Sequence, residues 1–207
     1  VHIARRMRDI QPFHVMDLLA RARQMEAAGR SIIHMEIGEP DFVTPEPVVR
    51  AGQRALEEGK THYTPAVGIE ELRTAIVHHY RDRYAVDVAP ERIIITPGSS
   101  GALQLVCGVL VDPGQHLLMA DPGYPCNRHF VRLMEGAATS VAVGAESAYQ
   151  LTAALIAQHW QDPTVAALLA SPSNPTGTVV ERDELQRIID TVSDRGGRLI
   201  VDEIYQG

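Results

Sequence analysis

The chain has 207 residues, enough for one well-packed domain with an appended segment. Its net charge of −7 and its lack of a basic stripe argue against nucleic-acid binding, and no apolar run is long enough to span a membrane. The first ten residues lack the apolar core of a signal peptide, and the two cysteines form neither a disulfide framework nor a metal motif. These features predict a cytoplasmic protein that binds no metal.

Taken in chain order, helical patterns alternate with short apolar runs. A helix rich in Ala and Arg is predicted over residues 16–28, and Leu72 and Ile76 lead another. Apolar runs bounded by turn residues predict strands over residues 92–96, 116–121, 165–171 and 198–203, with a weaker strand over residues 140–144. Apolar residues at helical spacing predict two amphipathic helices between these runs, from Leu103 to Leu110 and from Leu185 to Val192.

The four main runs are apolar at almost every position, which is typical of parallel strands buried on both faces. Their alternation with helices predicts an α/β fold, with a mostly parallel sheet and helices on both faces. The segment before Gly38 lies outside this alternation and is predicted to form an arm.

A glycine- and serine-rich turn follows the run at residues 92–96 and leads directly into a predicted helix. Gly98 lets the backbone approach a ligand closely, and Ser99 and Ser100 place hydroxyl groups beside the free N–H groups of the helix start. This combination predicts an anion site suited to a phosphate. Simple capping of the helix by Ser99 or Ser100 is the alternative.

Three further strand ends carry polar side chains, at the positions where ligands bind in open α/β sheets. Tyr124 stands between a glycine and a proline, where its ring could pack in the core or stack on a flat ligand. Asn174 lies in a loop that two prolines stiffen, which is either a rigid connection or a binding loop. Asp202 ends a buried run, where a carboxylate is costly unless it faces a cation.

Six stretches together closely resemble the class I and II aminotransferases, and they come in the same order: GEPDF, HYTPAVGIEELR, ITPGSSGAL, DPGYPCNRHF, SPSNPTGTV and VDEIYQG. That family consists of enzymes that use pyridoxal 5'-phosphate (PLP) and share the fold of aspartate aminotransferase, fold type I. The resemblance covers residues 38–207. It implies a transferase that moves an amino group between an amino acid and a 2-oxo acid in amino acid metabolism. It also implies that residues 1–40 form an N-terminal arm and small-domain segment, and residues 41–207 the first part of the large PLP-binding domain.

The resemblance also implies roles for the residues that would surround the cofactor ring. Asp202 would pair with the pyridine nitrogen and keep it protonated, which makes the ring a better electron sink. Tyr205 and Asn174 would hydrogen-bond the phenolic oxygen of the ring and favour its anionic form. Tyr124 would stack on the ring face, and Asn174 is also expected to contact the substrate.

The remaining matches concern the phosphate, the substrate and a second subunit. Gly98, Ser99 and Ser100 would hold the cofactor phosphate. Gly38 matches a backbone position near the substrate carboxylate. Tyr63 matches a residue that reaches the phosphate of the neighbouring subunit, so the resemblance implies a homodimer.

One element of the family pattern is missing from these residues, namely the lysine that forms a Schiff base with the cofactor. In the family this lysine follows the DEIY segment, so it is expected beyond Gly207. Lys60 is the only lysine among the 19 basic residues, and its position after a helix end predicts a solvated side chain. The 207 residues alone are therefore predicted to be inactive.

Two alternatives to an aminotransferase share the same motifs. Related PLP enzymes cleave C–S bonds or decarboxylate their substrates. A non-catalytic domain of this fold could serve dimerisation or effector sensing.

Overall fold

The computed structural model describes residues 2–206. The chain divides into two compact units, one comprising residues 14–96 and the other residues 1–13 together with residues 97–207. Among the described residues no helix is long and apolar enough to cross a membrane. The predicted boundary at residue 40 concerns the domains of a complete enzyme and stays a prediction.

The unit of residues 14–96 contains the helices α1 (His14–Ala27), α2 (Glu46–Glu57) and α3 (Glu70–Tyr84). The helix α3 carries two glutamates in its first turn and two arginines in its last turn, so its side-chain charges oppose the helix dipole at both ends. A proline lies in the first turn of α2, where its fixed φ angle suits the helix and its missing N–H group costs no intrahelical hydrogen bond. Both predicted helices of this unit, α1 and α3, are confirmed.

The strand predicted over residues 92–96 is wrong for this structure. Arg92 ends a 3-10 turn, and the backbone at Ile93 is extended, but no described strand pairs with these residues. The amide of Ile95 donates instead to the carbonyl of Val67, at 3.0 Å. A strand requires a neighbouring strand to bond its N–H and C=O groups, and an apolar run alone does not supply one.

The other unit contains a four-stranded sheet in which every neighbouring pair of strands is parallel. The elements of this unit are α4 (Gly98–Leu110), β1 (His116–Asp121), α5 (Asn127–Leu133), β2 (Ala137–Ala142), α6 (Ala153–His159), β3 (Thr164–Ala170), α7 (Arg182–Ser193) and β4 (Arg198–Asp202). Four of the five predicted strands are therefore confirmed. The strand order is β2-β1-β3-β4.

Helices cover both faces of the sheet. Successive side chains of a strand point to opposite faces, so each strand can contribute to the packing on both sides. In β1, Leu117 packs in a cluster with residues of α4 and α5, while Leu118 packs in a second cluster with residues of α6 and α7. The strand β3 divides in the same way, with Leu168 in the first cluster and Leu169 in the second. Burial on both faces confirms the predicted α/β architecture and explains the continuous apolar runs.

The carboxyl ends of the parallel strands lie at the same edge of the sheet. The last residue of β1 is Asp121, that of β3 is Ala170 and that of β4 is Asp202. The loops that follow these strands therefore meet at one edge, where ligands of open α/β sheets bind.

Candidate functional site

A pocket of about 190 Å³ opens at this edge of the sheet. It is formed by the start of α4, the loop after β1, the loop after β3 and the segment after β4. Five residues selected from the sequence line it together, although up to 106 positions separate them. The lining residues are Ser99, Tyr124, Ala170, Asn174, Asp202, Ile204 and Tyr205.

Asp202 is the last residue of β4 and is half-buried. Its Oδ1 accepts a hydrogen bond from the amide of Ile204, at 3.1 Å. That bond holds the carboxylate in place, and Oδ2 has no hydrogen-bond partner among residues 2–206. A half-buried carboxylate with one oxygen still unpaired favours a cationic donor in the pocket.

Asn174 and Tyr205 form a pair on the wall of the pocket. The side-chain Nδ2 of Asn174 donates to the hydroxyl oxygen of Tyr205, at 3.3 Å. The loop that carries Asn174 turns at Gly177, whose φ of 70° is unfavourable for residues with a side chain. The amide and the phenol hydroxyl are thus held where both can donate to an oxygen of a ligand.

Tyr124 is half-buried and lies in the loop between β1 and α5. A hydrogen bond with the side chain of Cys126, together with burial, raises the pKa of Tyr124 to about 12, and the nearby Tyr205 and Asp202 add smaller contributions. The phenol is therefore neutral near pH 7. Its ring can offer an uncharged face to a planar ligand, which is the role expected from the sequence.

The first turn of α4 contains Gly98, Ser99 and Ser100. The residue at the N-cap position is Pro97, and Ser99 and Ser100 lie within the helix, so the interpretation of either serine as a simple cap is wrong. Gly98 has a φ of 74°, in the region that favours glycine. The positive end of the dipole of this 13-residue helix and two adjacent hydroxyl groups together favour an anion.

The donor set of the pocket fits PLP. A ligand bound here would meet a carboxylate, two side chains that can donate to an oxygen, the face of an aromatic ring and a helix N-terminus. PLP presents a cationic pyridinium, a phenolic oxygen, a planar ring and a phosphate, so each group of the ligand has a complementary group in the protein.

Gly38 belongs to the other unit, in which it is exposed. The segment that precedes it is tied to α1 by His34, whose Nδ1 lies 2.7 Å from Glu36 Oε1 and whose Nε2 lies 2.9 Å from Glu26 Oε1. The hydrogen bonds to Glu36 and Glu26 raise the pKa of His34. The expected substrate contact of Gly38 stays a prediction.

Tyr63 and Lys60 also belong to the helical unit. The side chain of Tyr63 is fully exposed, and its expected reach into a neighbouring subunit stays a prediction. Lys60 is 69% exposed and forms an ion pair with Glu58, at 2.6 Å, which confirms the solvated side chain expected from the sequence.

Sequence reasoning missed several residues around the pocket. Ala170 and Ile204 line it, but apolar residues at strand ends carry no recognisable signal. Asn127 begins α5, is 7% exposed and leaves its Oδ1 without a hydrogen-bond partner among the described residues. It also lines a small adjoining cavity of about 20 Å³, together with Tyr124 and Asn174. Only its burial beside these two residues identifies Asn127.

Gln150 is another buried polar residue that the sequence did not indicate. Its Nε2 donates to the carbonyl oxygens of Ala170, at 3.0 Å, and of Thr178, at 2.9 Å. Ala170 ends β3, and Thr178 follows the loop that contains Asn174. Gln150 therefore ties both ends of the Asn174 loop together.

We expect Gln150→Met to lower the free energy of unfolding by about 1–2 kcal/mol, because the two carbonyl groups lose a buried donor while the side-chain volume is kept. Urea unfolding of the variant and its parent measures the difference. Gln158→Met, on the exposed surface of α6, is the matched control and should unfold like the parent. Equal unfolding midpoints for Gln150→Met and the parent would contradict this role.

Comparison with known proteins agrees with this description of the fold. The sequence model of the family described as "Aminotransferase class I and II" matches residues 30–207. The chain is 39% identical over 206 residues to a (5-formylfuran-3-yl)methyl phosphate transaminase from Methanocaldococcus jannaschii, covering 99% of this chain and 52% of that protein. It is 35% identical over 198 residues to a valine–pyruvate aminotransferase from Mycobacterium tuberculosis, covering 96% of this chain and 51% of the relative.

Solved structures of aminotransferases superpose closely on this chain. An aminotransferase from Mycobacterium tuberculosis superposes with a TM-score of 0.93 at 34% identity, covering 98% of this chain and 52% of that one. An aspartate aminotransferase from Thermus thermophilus, solved with maleate, superposes with a TM-score of 0.93 at 30% identity, covering 99% of this chain and 53% of that one. The fold is therefore that of a fold type I PLP-dependent transferase.

The chain belongs to the class I and II aminotransferase family, whose members depend on PLP. It spans about half the length of the curated relatives that it matches.

Proposed function

We propose that the protein containing this chain is a PLP-dependent aminotransferase that moves an amino group between an amino acid and a 2-oxo acid. The observation that carries the proposal is the single pocket that collects Ser99, Tyr124, Asn174, Asp202 and Tyr205 in a chain of this family. Bound PLP supplies the electron sink for the carbanion that forms when the substrate loses its α-proton.

Asp202 and α4 would hold the two charged ends of the cofactor. The unpaired Oδ2 of Asp202 is proposed to accept from the protonated ring nitrogen, while the Ile204 amide fixes the other carboxylate oxygen. The first turn of α4, with Gly98, Ser99 and Ser100, is proposed to bind the phosphate through N–H and hydroxyl donors. Opposite charges at the two ends of the ligand orient it in one direction only.

Three residues would contact the ring between these ends. Asn174 and Tyr205 are proposed to donate to the phenolic oxygen, and their mutual hydrogen bond places both donors side by side. The neutral ring of Tyr124 is proposed to stack on the cofactor and exclude water from one face. Asn174 and Gly38 are the proposed substrate contacts in this chain.

The proposal also includes a homodimer, with Tyr63 reaching the phosphate bound by the partner subunit. The full exposure of the Tyr63 side chain supports it, because the side chain is available to a second copy.

The proposal is tested by reducing the complete protein, including the residues that follow Gly207, with borohydride in the presence of PLP. We expect a covalent adduct on a lysine beyond Gly207, and transfer of an amino group from an amino acid to a 2-oxo acid before reduction. Lys60→Arg, which keeps the charge and removes the amine, should form the adduct equally well.

A protein that forms no adduct would contradict the enzyme proposal and would favour a non-catalytic domain. An adduct with release of a thiol or of carbon dioxide, and no amino transfer, would replace the aminotransferase with a lyase or decarboxylase.

A further inference from the structure

Residues 5–13, here called the leading segment, lie along α5 and run in the opposite direction. Arg6 Nη1 bonds Glu135 Oε1, just after the end of α5, at 3.1 Å. Further along the leading segment, Asp9 Oδ2 accepts from the Nε of Arg132, at 2.7 Å. In one pair the leading segment supplies the cation and in the other the anion, so that a shift of the segment along α5 would place like charges together.

The leading segment ends at the cofactor pocket. Phe13 contacts Tyr124, with the ring centroids 6.1 Å apart and the ring planes inclined at 73°. This edge-to-face arrangement is the favoured geometry for two aromatic rings, because the positive edge of one meets the negative face of the other. Phe13 is 37% exposed, so the contact is not simply part of the buried core.

Tyr124 needs such a support. It lies in the loop before α5 and lines the pocket, and a ring that stacks on a flat ligand must keep one plane. The hydrogen bond with Cys126 restrains its hydroxyl group, but it leaves the ring able to turn about the bond that carries it. A second aromatic ring packed against it restricts that rotation.

We propose that Phe13 is a positioning residue of the cofactor site, which holds the ring plane of Tyr124 and is itself held in register by the two ion pairs between the leading segment and α5. The inference rests on the proposed function, since it concerns how well the pocket accepts PLP. It assigns to residues 5–13 a role in the site, whereas the sequence indicated only an arm outside the alternation of strands and helices.

The test measures the dissociation constant of PLP, the visible circular dichroism of the bound cofactor, and kcat and KM of the complete protein. We expect Phe13→Ala to weaken PLP binding about three- to tenfold, which is the range that one aromatic pair contributes, and to reduce the circular dichroism signal. Phe13→Tyr, which keeps a ring edge, should restore both. Phe13→Leu, which keeps apolar bulk without a ring, should not, and parent-like behaviour of Phe13→Leu would overturn the proposal.

A double-mutant cycle separates action through Tyr124 from a general effect on folding. In a Tyr124→Ala background, Phe13→Ala should weaken PLP binding no further, and an additive loss would overturn the proposal. The same cycle on the thermal unfolding of the cofactor-free protein should show coupling between the two rings. If the parent itself fails to bind PLP while this coupling is present, the proposed function fails and the contact between the rings stands.

The ion pairs are tested by the double variant Arg6→Gln with Asp9→Asn, which leaves both rings unchanged. We expect PLP binding to weaken about two- to threefold, because exposed pairs contribute little individually. PLP binding equal to that of the parent would overturn the anchoring role of the leading segment.

Discussion

We expect Asp202→Asn, in the complete protein, to slow the proton-abstraction step by at least about a hundredfold. The substitution keeps the size of the side chain and one acceptor oxygen but removes the negative charge. Without that charge Asp202 would no longer hold a proton on the pyridine nitrogen of bound PLP, and the cofactor would be a weaker electron sink.

The magnitude follows from the electrostatics of a half-buried pair. One unit of pKa shift corresponds to about 1.4 kcal/mol, and that much additional barrier slows a reaction about tenfold. A neutral amide in place of the half-buried carboxylate removes the negative charge that would stabilise a proton on the ring nitrogen, so the pKa of that nitrogen should fall. The affinity for PLP should fall by a smaller factor than the rate of proton abstraction, because Ser99, Ser100 and Tyr124 are unchanged.

Single-turnover kinetics of the half-reaction measure this effect without interference from product release. Glu203→Gln is the matched control, because Glu203 is an exposed acid directly after β4 and does not line the pocket. The control should react at the parent rate. If Asp202→Asn also reacts at that rate while still holding PLP, the role assigned to Asp202 must be abandoned.

Asn174→Ala serves as a smaller change in the same pocket. Without the Nδ2 donor, the negative charge on the phenolic oxygen would be less well stabilised, and the neighbouring proton would be held more tightly. The pH midpoint of the absorbance change of the bound cofactor should therefore rise. Activity should be reduced and not abolished. A lower midpoint would contradict donation from Asn174 to that oxygen.

The second large effect concerns the 207 residues by themselves, which we expect to catalyse no transamination. The only amine of a lysine side chain in them is that of Lys60. Its hydrogen bond with Glu58 raises the pKa of Lys60, so the amine is protonated near neutral pH and is a poor nucleophile. Lys60 also lies in the helical unit and does not line the pocket of Asp202.

Assays of amino transfer with this chain alone, at saturating PLP, test the prediction. We expect weak, non-covalent binding of PLP through the phosphate and ring contacts, and no adduct after borohydride reduction. Lys60→Arg in the same chain should behave identically. Turnover by residues 1–207 would show that the requirement for a later lysine is mistaken.

Local sequence patterns were sufficient for the main elements of the sheet. The strands β1 and β3 were predictable because their continuous apolar residues match the environment of a strand covered on both faces. Helices α4 and α7 were predictable because apolar residues recur at helical spacing. The short helices α5 and α6, with seven residues each, were not predicted, since so short a helix shows no complete period.

The residues of the pocket were predictable for a related reason. Polar side chains directly after buried strands, with glycine and proline around them, are local signals, and parallel strands bring such ends to one edge. This reasoning reached Tyr124, Asn174 and Asp202, which line one pocket. Asn127 and Gln150 carry no such local signal, because only the tertiary structure shows that these polar side chains are buried.

The sequence by itself determined the class of fold, the family and the residues at the strand ends, because each depends on neighbours within a few positions along the chain. Only the tertiary structure decided the strand order β2-β1-β3-β4, the lack of a strand over residues 92–96 and the contact between Phe13 and Tyr124. Those features depend on which distant segments meet. A strand exists only where a second strand bonds it, and an aromatic pair only where packing brings two rings together.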